Sequence, residues 1–364
     1  MKRRDFLKRA GAAAAGAGLS PLMFARAQAA TFNWGMVTSW PTSLDTLFGG
    51  AQYFAETLKT MTDGDVQIEV YPAGAQVGAL EVLDAVASGA FQTCHTASYY
   101  FIGKDPSHAF FTTIPFGLTP QQQVAWLEVG GGQELWNEFN EGSNTIAFAC
   151  GNTGAQTGGW FNKEINTPAD LQGLKMRFPG QGGQVMAKAG VNVQNLPGGE
   201  IFLALDTGVI DAADWVGPYD DKILGIYKAA KYYYLPSWAE PGPSVGAYIN
   251  LDVYNSLPED IQTAIRTAAA ATDRRMLAQY DARNGQALQE LVDLGVELRT
   301  FPDEVLATLE RYADELNQEN VSSNRTYARI YENWSAFRDT IRSWHGKSQY
   351  AFDRYVYDQE TKQG

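Results

Sequence analysis

Residues 200–214 read "EIFLALDTGVIDAAD" and residues 81–95 read "EVLDAVASGAFQTCH". Laid against each other they pair Glu81 with Glu200 and, eight positions on, Gly89 with Gly208, after which an apolar pair runs into a strand-like stretch. Upstream of each stands a strand pattern that ends at a proline, "VQIEVYPAG" from Val66 and "VNVQNLPGG" from Val191. The same strand, helix and strand, met twice about 120 residues apart, predicts two similarly built α/β lobes, each with a mainly parallel sheet. Open sheets of this kind take their ligands beyond the carboxyl ends of the strands. That rule singles out His95 and Thr96 in the first copy and, opposite them, Asp214 and Trp215 in the second.

Working outward, Leu44, Leu47, Phe48, Ala51 and Phe54 recur at helical spacing, and Val66, Ile68 and Val70 then alternate with polar residues. Helix, turn and strand follow from the change of period. Thr167 followed by Pro168 marks a helix start; the short helix ends near Gly173, and the strand "KMRF" brings Arg177 to its end. From Pro258 to about Leu294 the pattern is helical with no internal proline, three times the usual helix length of about 11–12 residues. Such a helix is long enough to brace both lobes. Residues 303–364 read as further helix, with Tyr327, Ile330, Tyr331 and Trp334 forming an aromatic stripe that packs on the core or on another subunit. The resulting division puts 30–150 with about 241–270 in lobe 1, 151–240 with about 271–325 in lobe 2, and 326–364 in a helical tail.

Residues 1–29 carry a basic start, a small apolar run and an Ala27-Gln28-Ala29 exit, with Arg3-Arg4 resembling the twin-arginine pattern. This is an export signal and predicts a periplasmic protein; the run is shorter than the ~20 residues needed to span a bilayer. The whole chain has 28 basic and 41 acidic residues, and taking away the six basic and one acidic residue of 1–29 leaves 22 against 40, a formal charge of −18. Nucleic acid and anionic membrane surfaces are thereby poor partners. Two cysteines, Cys94 and Cys150, are too few for a disulfide framework and are expected as buried thiols. The three histidines stand in no metal-ligand motif, and the glycine-rich pieces lack the order of a phosphate loop. No nucleophile, base and acid stand out, so an enzyme is not expected.

Four groups of residues nevertheless invite a ligand. Arg177 at its strand end suits a carboxylate, gripped through two parallel hydrogen bonds, or else an inter-lobe salt bridge. Gln156, in "GNTGAQTGG", offers an amide oxygen to a cation or an amide N–H to a carboxylate; the bland alternative is a loop amide. Asp214 and Glu240, with an amide and a carbonyl oxygen, would cage sodium or calcium, whereas most turn carboxylates are simply solvated. Tyr99, Tyr100, Phe178 and Trp215 are candidates for the apolar wall of a pocket, or for core packing.

The stretches "PAGAQVGALEVLDAVASGAF", "LQGLKMRFPG", "LPGGEIFLALDTGVIDAADWVGP" and "LPEDIQTAIRTAAAATDRRM" together resemble the extracytoplasmic solute receptors of tripartite ATP-independent periplasmic (TRAP) transporters. The resemblance runs along nearly all of the chain after the signal. More narrowly, "TASYYFIGKDP", "GAQTGGWF", "DWVGPYDD" and "YYYLPSWAEPGP" are similar to the subgroup that binds 2-oxoacids such as pyruvate, with relatives that bind lactate. The resemblance implies no catalysis. It implies two lobes closing on a small organic acid anion, a long helix spanning both, and delivery to the TRAP membrane subunits. Carried over residue by residue, it assigns Arg177 to the substrate carboxylate, Gln156 to substrate and cation, and Tyr100, Phe178 and Trp215 to the ligand's surroundings. Asp214, the Trp215 carbonyl and Glu240 complete the cation's ligands, with sodium favoured over calcium. Asp214 stands where the family also uses the longer Glu. The remaining acids of this segment, Asp211, Asp220 and Asp221, are left as solvated neighbours. A homodimer through a swapped C-terminal helix is also implied. The alternatives are a receptor for lactate or another 2-hydroxyacid, and an exported enzyme acting on small 2-oxoacids.

Overall fold

The two related segments fold alike down to their hydrogen bonds. In the first, the helix Val82–Ala87 is followed by Gly89 at φ +77°; in the second, the helix Ile201–Asp206 is followed by Gly208 at φ +72°. Only glycine takes that left-handed conformation without strain, which is why both copies keep it. Beyond the turn, Phe91 N donates to Ala85 O and Ile210 N donates to Ala204 O, both at 3.1 Å. The computed structural model describes residues 32–360, with the side chains of 359 and 360 left out. The expected export signal therefore lies outside the described residues.

Eleven strands are present among the described residues. The first four are β1 (Phe32–Thr38), β2 (Val66–Tyr71), β3 (Thr93–Thr96) and β4 (Thr145–Asn152). Then come β5 (Gly159–Phe161), β6 (Lys175–Arg177), β7 (Asn192–Gln194), β8 (Ala212–Ala213), β9 (Tyr232–Leu235), β10 (Ser244–Asn250) and β11 (Glu297–Thr300). The first sheet has the order β2-β1-β3-β10-β4 and the second β11-β9-β5-β8-β6-β7. Within each copy of the repeat the strands are parallel: β1 with β2 and β3, and β6 with β7 and β8. Each sheet is mainly parallel with a single antiparallel strand, β10 in the first and β5 in the second, brought in where the chain crosses from one sheet to the other. The chain leaves β4 to enter the second sheet as β5, antiparallel to β8, and leaves β9 to return as β10, antiparallel to β3. The two crossing segments, 153–158 and 236–243, bond to each other through Gln156 N to Glu240 O at 3.2 Å and Thr153 N to Pro243 O at 3.0 Å.

The long helix is Glu259–Asp293, 35 residues, about 50 Å at the α-helical rise. Ile261, Ile265 and Ala268 of its first half pack with Trp34, Met36 and Phe54 of the first lobe. Met276, Tyr280 and Leu291 of its second half join a cluster that holds Trp40 and Tyr99 of the first lobe together with Trp160 and Trp215 of the second. A single core shared by both lobes means that they are closed on each other.

The tail meets one of the two expectations for its aromatic stripe. The helix Asp303–Ser323 buries Val305, Leu309 and Leu316 in the second lobe, and the helix Arg325–His345 buries Tyr327, Ile330 and Trp334 against Phe110 and Trp126 of the first. The aromatic stripe thus packs within this chain; Tyr327 OH also receives a hydrogen bond from Gln181 Nε2 at 2.7 Å and donates to Asn317 Oδ1 at 2.6 Å. What faces solvent is further on: Trp344, then Tyr350, Phe352, Tyr355 and Tyr357 of the helix Gln349–Glu360. Cys94 and Cys150 are free and buried, and β10 between their strands keeps them more than two strand spacings, roughly 9–10 Å, apart.

Candidate functional site

The parallel register of β6 and β8 sets Arg177 against Ala213, and Asp214 N donates to Arg177 O at 3.0 Å. The two side chains that the sequence marks at strand ends therefore emerge together. Arg177 Nε donates to Leu196 O at 3.1 Å, Nη1 donates to Asp214 O at 2.7 Å, and the guanidinium lies 4.9 Å over the Trp215 ring. Asp214 Oδ2 is 3.6 Å from Arg177 Nη1, an ion pair longer than a good hydrogen bond.

Gln156 and Glu240 come from the two crossing segments, so the connections between the lobes themselves deliver them. Gln156 Nε2 donates to Thr153 Oγ1 at 3.1 Å, and Glu240 Oε2 accepts from Tyr99 OH at 3.3 Å. Arg177, Asp214, Trp215, Glu240 and Gln156 are each at most 6 % exposed. Yet Arg177 Nη2, Asp214 Oδ2, Glu240 Oε1, Gln156 Oε1 and Trp215 Nε1 have no hydrogen-bond partner. Each such buried group costs about 1–3 kcal/mol, so five in one region mark a place built for something else.

Burial drives the electrostatics. It holds the Asp214 carboxyl well above its ordinary range, helped by the like charge of Glu240 and only partly opposed by Arg177. Burial likewise pushes Glu240 up to about 8 against the pull of Arg177 and Tyr99. One guanidinium does not offset two buried carboxylates. Among the described residues no group of three or more His, Cys, Asp or Glu side chains is placed to hold a metal. A cation here would therefore draw on the Gln156 amide and backbone carbonyls as well as on Asp214 and Glu240, an all-oxygen set that suits a hard ion. The unpartnered Asp214, Glu240 and Gln156 oxygens fit that use.

A small cavity beside these groups is lined by Trp40, Leu47, Tyr99, Tyr100, Gln156 and Trp215, among others. Tyr100 and Trp215 are where the sequence leads one to look. Phe178 is not among the lining residues: it is buried in the second lobe's core, its ring 5.7 Å from that of Trp238. Trp40 and Leu47 are not marked as pocket residues by the sequence, although Trp40 follows β1 at its carboxyl end, where the strand-end rule would have found it.

Asp220 and Asp221 are not solvated, contrary to expectation; both are fully buried. Asp220 accepts from Thr46 Oγ1 and from Tyr280 OH, each at 2.7 Å. Asp221 accepts from Trp160 Nε1 at 2.8 Å, Tyr233 OH at 2.7 Å, Val216 N at 3.2 Å and Gly217 N at 3.1 Å. They open the helix Pro218–Leu224, and the bend that precedes it folds them inward. Asp211 stays partly exposed, accepting from Lys175 N at 3.0 Å.

Two α/β lobes, joined by crossing strands and shut on a buried set of unpaired polar groups, define a two-lobed solute receptor. The model of the bacterial extracellular solute-binding proteins, family 7 (DctP), matches residues 36–324. The chain belongs to that family, and it is a periplasmic solute-binding protein rather than an enzyme. A relative from Nostoc sp. (strain PCC 7120), a monocarboxylate 2-oxoacid-binding periplasmic protein, is 46% identical over 361 residues, 98% of this chain and 99% of its own. A TRAP transporter solute-binding protein from Bordetella bronchiseptica, a dimer with calcium and picolinate in one site, superposes with a TM-score of 0.90 at 38% identity, covering 92% of this chain and 100% of that one. One from Pseudoalteromonas atlantica, with bound sodium and pyruvate, gives a TM-score of 0.86 at 37% identity over 88% of this chain and 98% of that one.

Proposed function

We propose that this protein captures a small 2-oxo monocarboxylate of the pyruvate type, together with a cation, and hands it to the membrane subunits of a TRAP transporter. The observation that carries this is the set of unpaired buried atoms. Arg177 Nη2 is a donor that lacks an acceptor, which a ligand carboxylate supplies; the Asp214, Glu240 and Gln156 oxygens are acceptors that lack a hydrogen-bond donor. Gln156, Arg177, Tyr100 and Trp215 take the substrate side, with Phe178 behind Arg177 in the second lobe. Gln156, Asp214, the Trp215 carbonyl and Glu240 take the cation side.

Ionised Asp214 and Glu240 outweigh Arg177 by one negative charge, and a monocarboxylate adds another. The cation supplies the positive charge that lets the anion lie near two carboxylates. The Nostoc relative is a 2-oxoacid binder and the Pseudoalteromonas structure holds sodium with pyruvate, which supports the substrate class. Sodium is the ion we assign, because calcium sites gain affinity with carboxylate count and this one has only two, although sodium offsets only one of the two negative charges.

Thermal shift against pyruvate, lactate and a C4 dicarboxylate, in sodium, in calcium and in cation-free buffer with a chelator, is the test. Pyruvate with sodium should raise the midpoint by several degrees, and more than lactate does. A midpoint unmoved by every 2-oxoacid defeats the proposal. A larger response to lactate selects a 2-hydroxyacid receptor, and a response abolished by the chelator despite sodium selects calcium.

The same proposal includes a homodimer through the C-terminal helix, supported by the dimeric Bordetella structure and by the exposed aromatic side chains of Gln349–Glu360. Deleting residues 346–364 should leave the thermal midpoint in place and reduce the mass to a monomer by light scattering; an unchanged mass rules the tail out. A cut near residue 330 would not serve, since it strips Trp334 from the first lobe's core.

A further inference from the structure

We propose that His95 is a positioning residue for the ligand cavity: it fixes the orientation of Trp40, the indole that forms one wall, and so supports affinity without touching the ligand. This deepens the receptor function proposed above and rests on it.

His95 lies on β3, fully buried, at the position that the repeat sets opposite Asp214. Trp40, 1 % exposed, stands two residues beyond the end of β1 and lines the cavity with Tyr99, Tyr100, Gln156 and Trp215. Its backbone is tied down independently of the side chain, Ala73 N donating to Trp40 O at 2.9 Å. The indole is tied down by one polar contact, Trp40 Nε1 donating to His95 Nδ1 at 2.7 Å.

An indole nitrogen can only donate, so His95 Nδ1 must accept and carries no proton. The ring proton then belongs to Nε2, which sits 3.0 Å from Cys150 O and donates to it. Both ring nitrogens are spent on one tautomer. Protonation would set an N–H against the indole N–H, and burial, which pushes the imidazole down to about 4, keeps that state away. The imidazole edge meets Trp40 at 6.0 Å in a T-shaped contact, while Tyr100 lies 6.2 Å from the same indole on the cavity.

The repeat makes the placement informative. At equivalent strand ends, the second lobe presents Asp214, with an oxygen left unpaired, and the first presents His95, with none. One copy of the turn supplies a ligand atom; the other supplies a rigid acceptor that aims an aromatic wall across the cleft.

The contact separates two substitutions that a general structural role would not. In His95→Asn the amide oxygen can take the place of Nδ1 and accept from Trp40; in His95→Gln the amide reaches the place of Nε2 and leaves the indole N–H without an acceptor. Calorimetric titration with pyruvate and the cation should find His95→Asn within about threefold of wild type and His95→Gln weaker by about five- to tenfold, the worth of one hydrogen bond. Placed in a Trp40→Phe background, His95→Gln should add less than twofold. Equal losses in both variants, affinity that simply follows thermal stability, or losses that multiply in the double variant would overturn the proposal. Should either variant fail to fold, nitrogen-15 spectra of wild-type protein decide: a coupling between the Trp40 indole N–H and His95 Nδ1 is required, and its absence overturns the assignment. A wild-type protein that binds no 2-oxoacid would instead defeat the substrate proposal; the indole coupling is read without ligand, and the affinity comparison is then made with whichever acid of the panel binds.

Discussion

Two pairs of buried carboxylates lie close in this protein and behave in opposite ways. Asp214 and Glu240 sit at the cleft, each with an oxygen that nothing donates to. Asp220 and Asp221, on the helix that begins a few residues after Asp214, accept hydrogen bonds on both of their oxygens. Burial is equal in the four, so burial does not distinguish a binding group from a structural one. Satisfaction does: a carboxylate whose oxygens are filled holds the fold, and one left open at a cost awaits a partner.

Arg177→Ala should produce the largest effect, the loss of pyruvate binding by calorimetry, on the order of 4 kcal/mol for truncating one side of a buried charge pair. The variant also loses the buried hydrogen bonds to Leu196 O and Asp214 O, so the thermal transition should fall as well; micromolar binding retained in this variant would break the role given to the cleft. In Asp221→Ala the main loss is of stability. It strands the donors of Trp160, Tyr233, Val216 and Gly217, and urea unfolding should find about 3 kcal/mol lost. A stability within 1 kcal/mol of wild type, by the same yardstick, would erase the contrast.

A smaller effect sharpens it. Burial raises Asp220 to about 7, outweighing the donors Thr46 and Tyr280 that favour its charged form. The folded state thus binds more protons than the unfolded chain between the ordinary aspartate range and pH 7. The stability this confers is complete below that range and is lost as pH rises through about 7. Ligand-free protein should therefore melt higher at pH 5 than at pH 8, and Asp220→Asn should remove a part of that gain on the order of 2 kcal/mol. An identical pH profile in the variant would show that Asp220 does not titrate in this window. Asp220 also ties the lobes, Thr46 being in the first and Tyr280 on the long helix, so the same variant tests whether closure depends on it.

Much of the fold and part of the candidate site were legible in the residues. Glu81 to His95 against Glu200 to Asp214 announced the repeat, because a helix capped by a left-handed glycine leaves a local signature. The proline-free run from Pro258 announced the long helix for the same reason: its period is written in contiguous residues. Arg177, Gln156, Asp214 and Glu240 could be singled out because polar groups at strand ends and stiff turns are themselves local features.

What the sequence by itself determined was therefore local: the two βαβ units, the bracing helix, the strand ends and the acidic surplus. Only the tertiary structure decided which acids stay open and which are filled, that β5 and β10 insert antiparallel, that the Tyr327–Trp334 stripe packs on its own lobe, and that His95 answers to Trp40. Each of these depends on partners far apart in the chain, Asp220 with Thr46 across 174 residues and His95 with Trp40 across 55. A donor that distant leaves no period or spacing beside its acceptor; it exists only once packing has brought the two together.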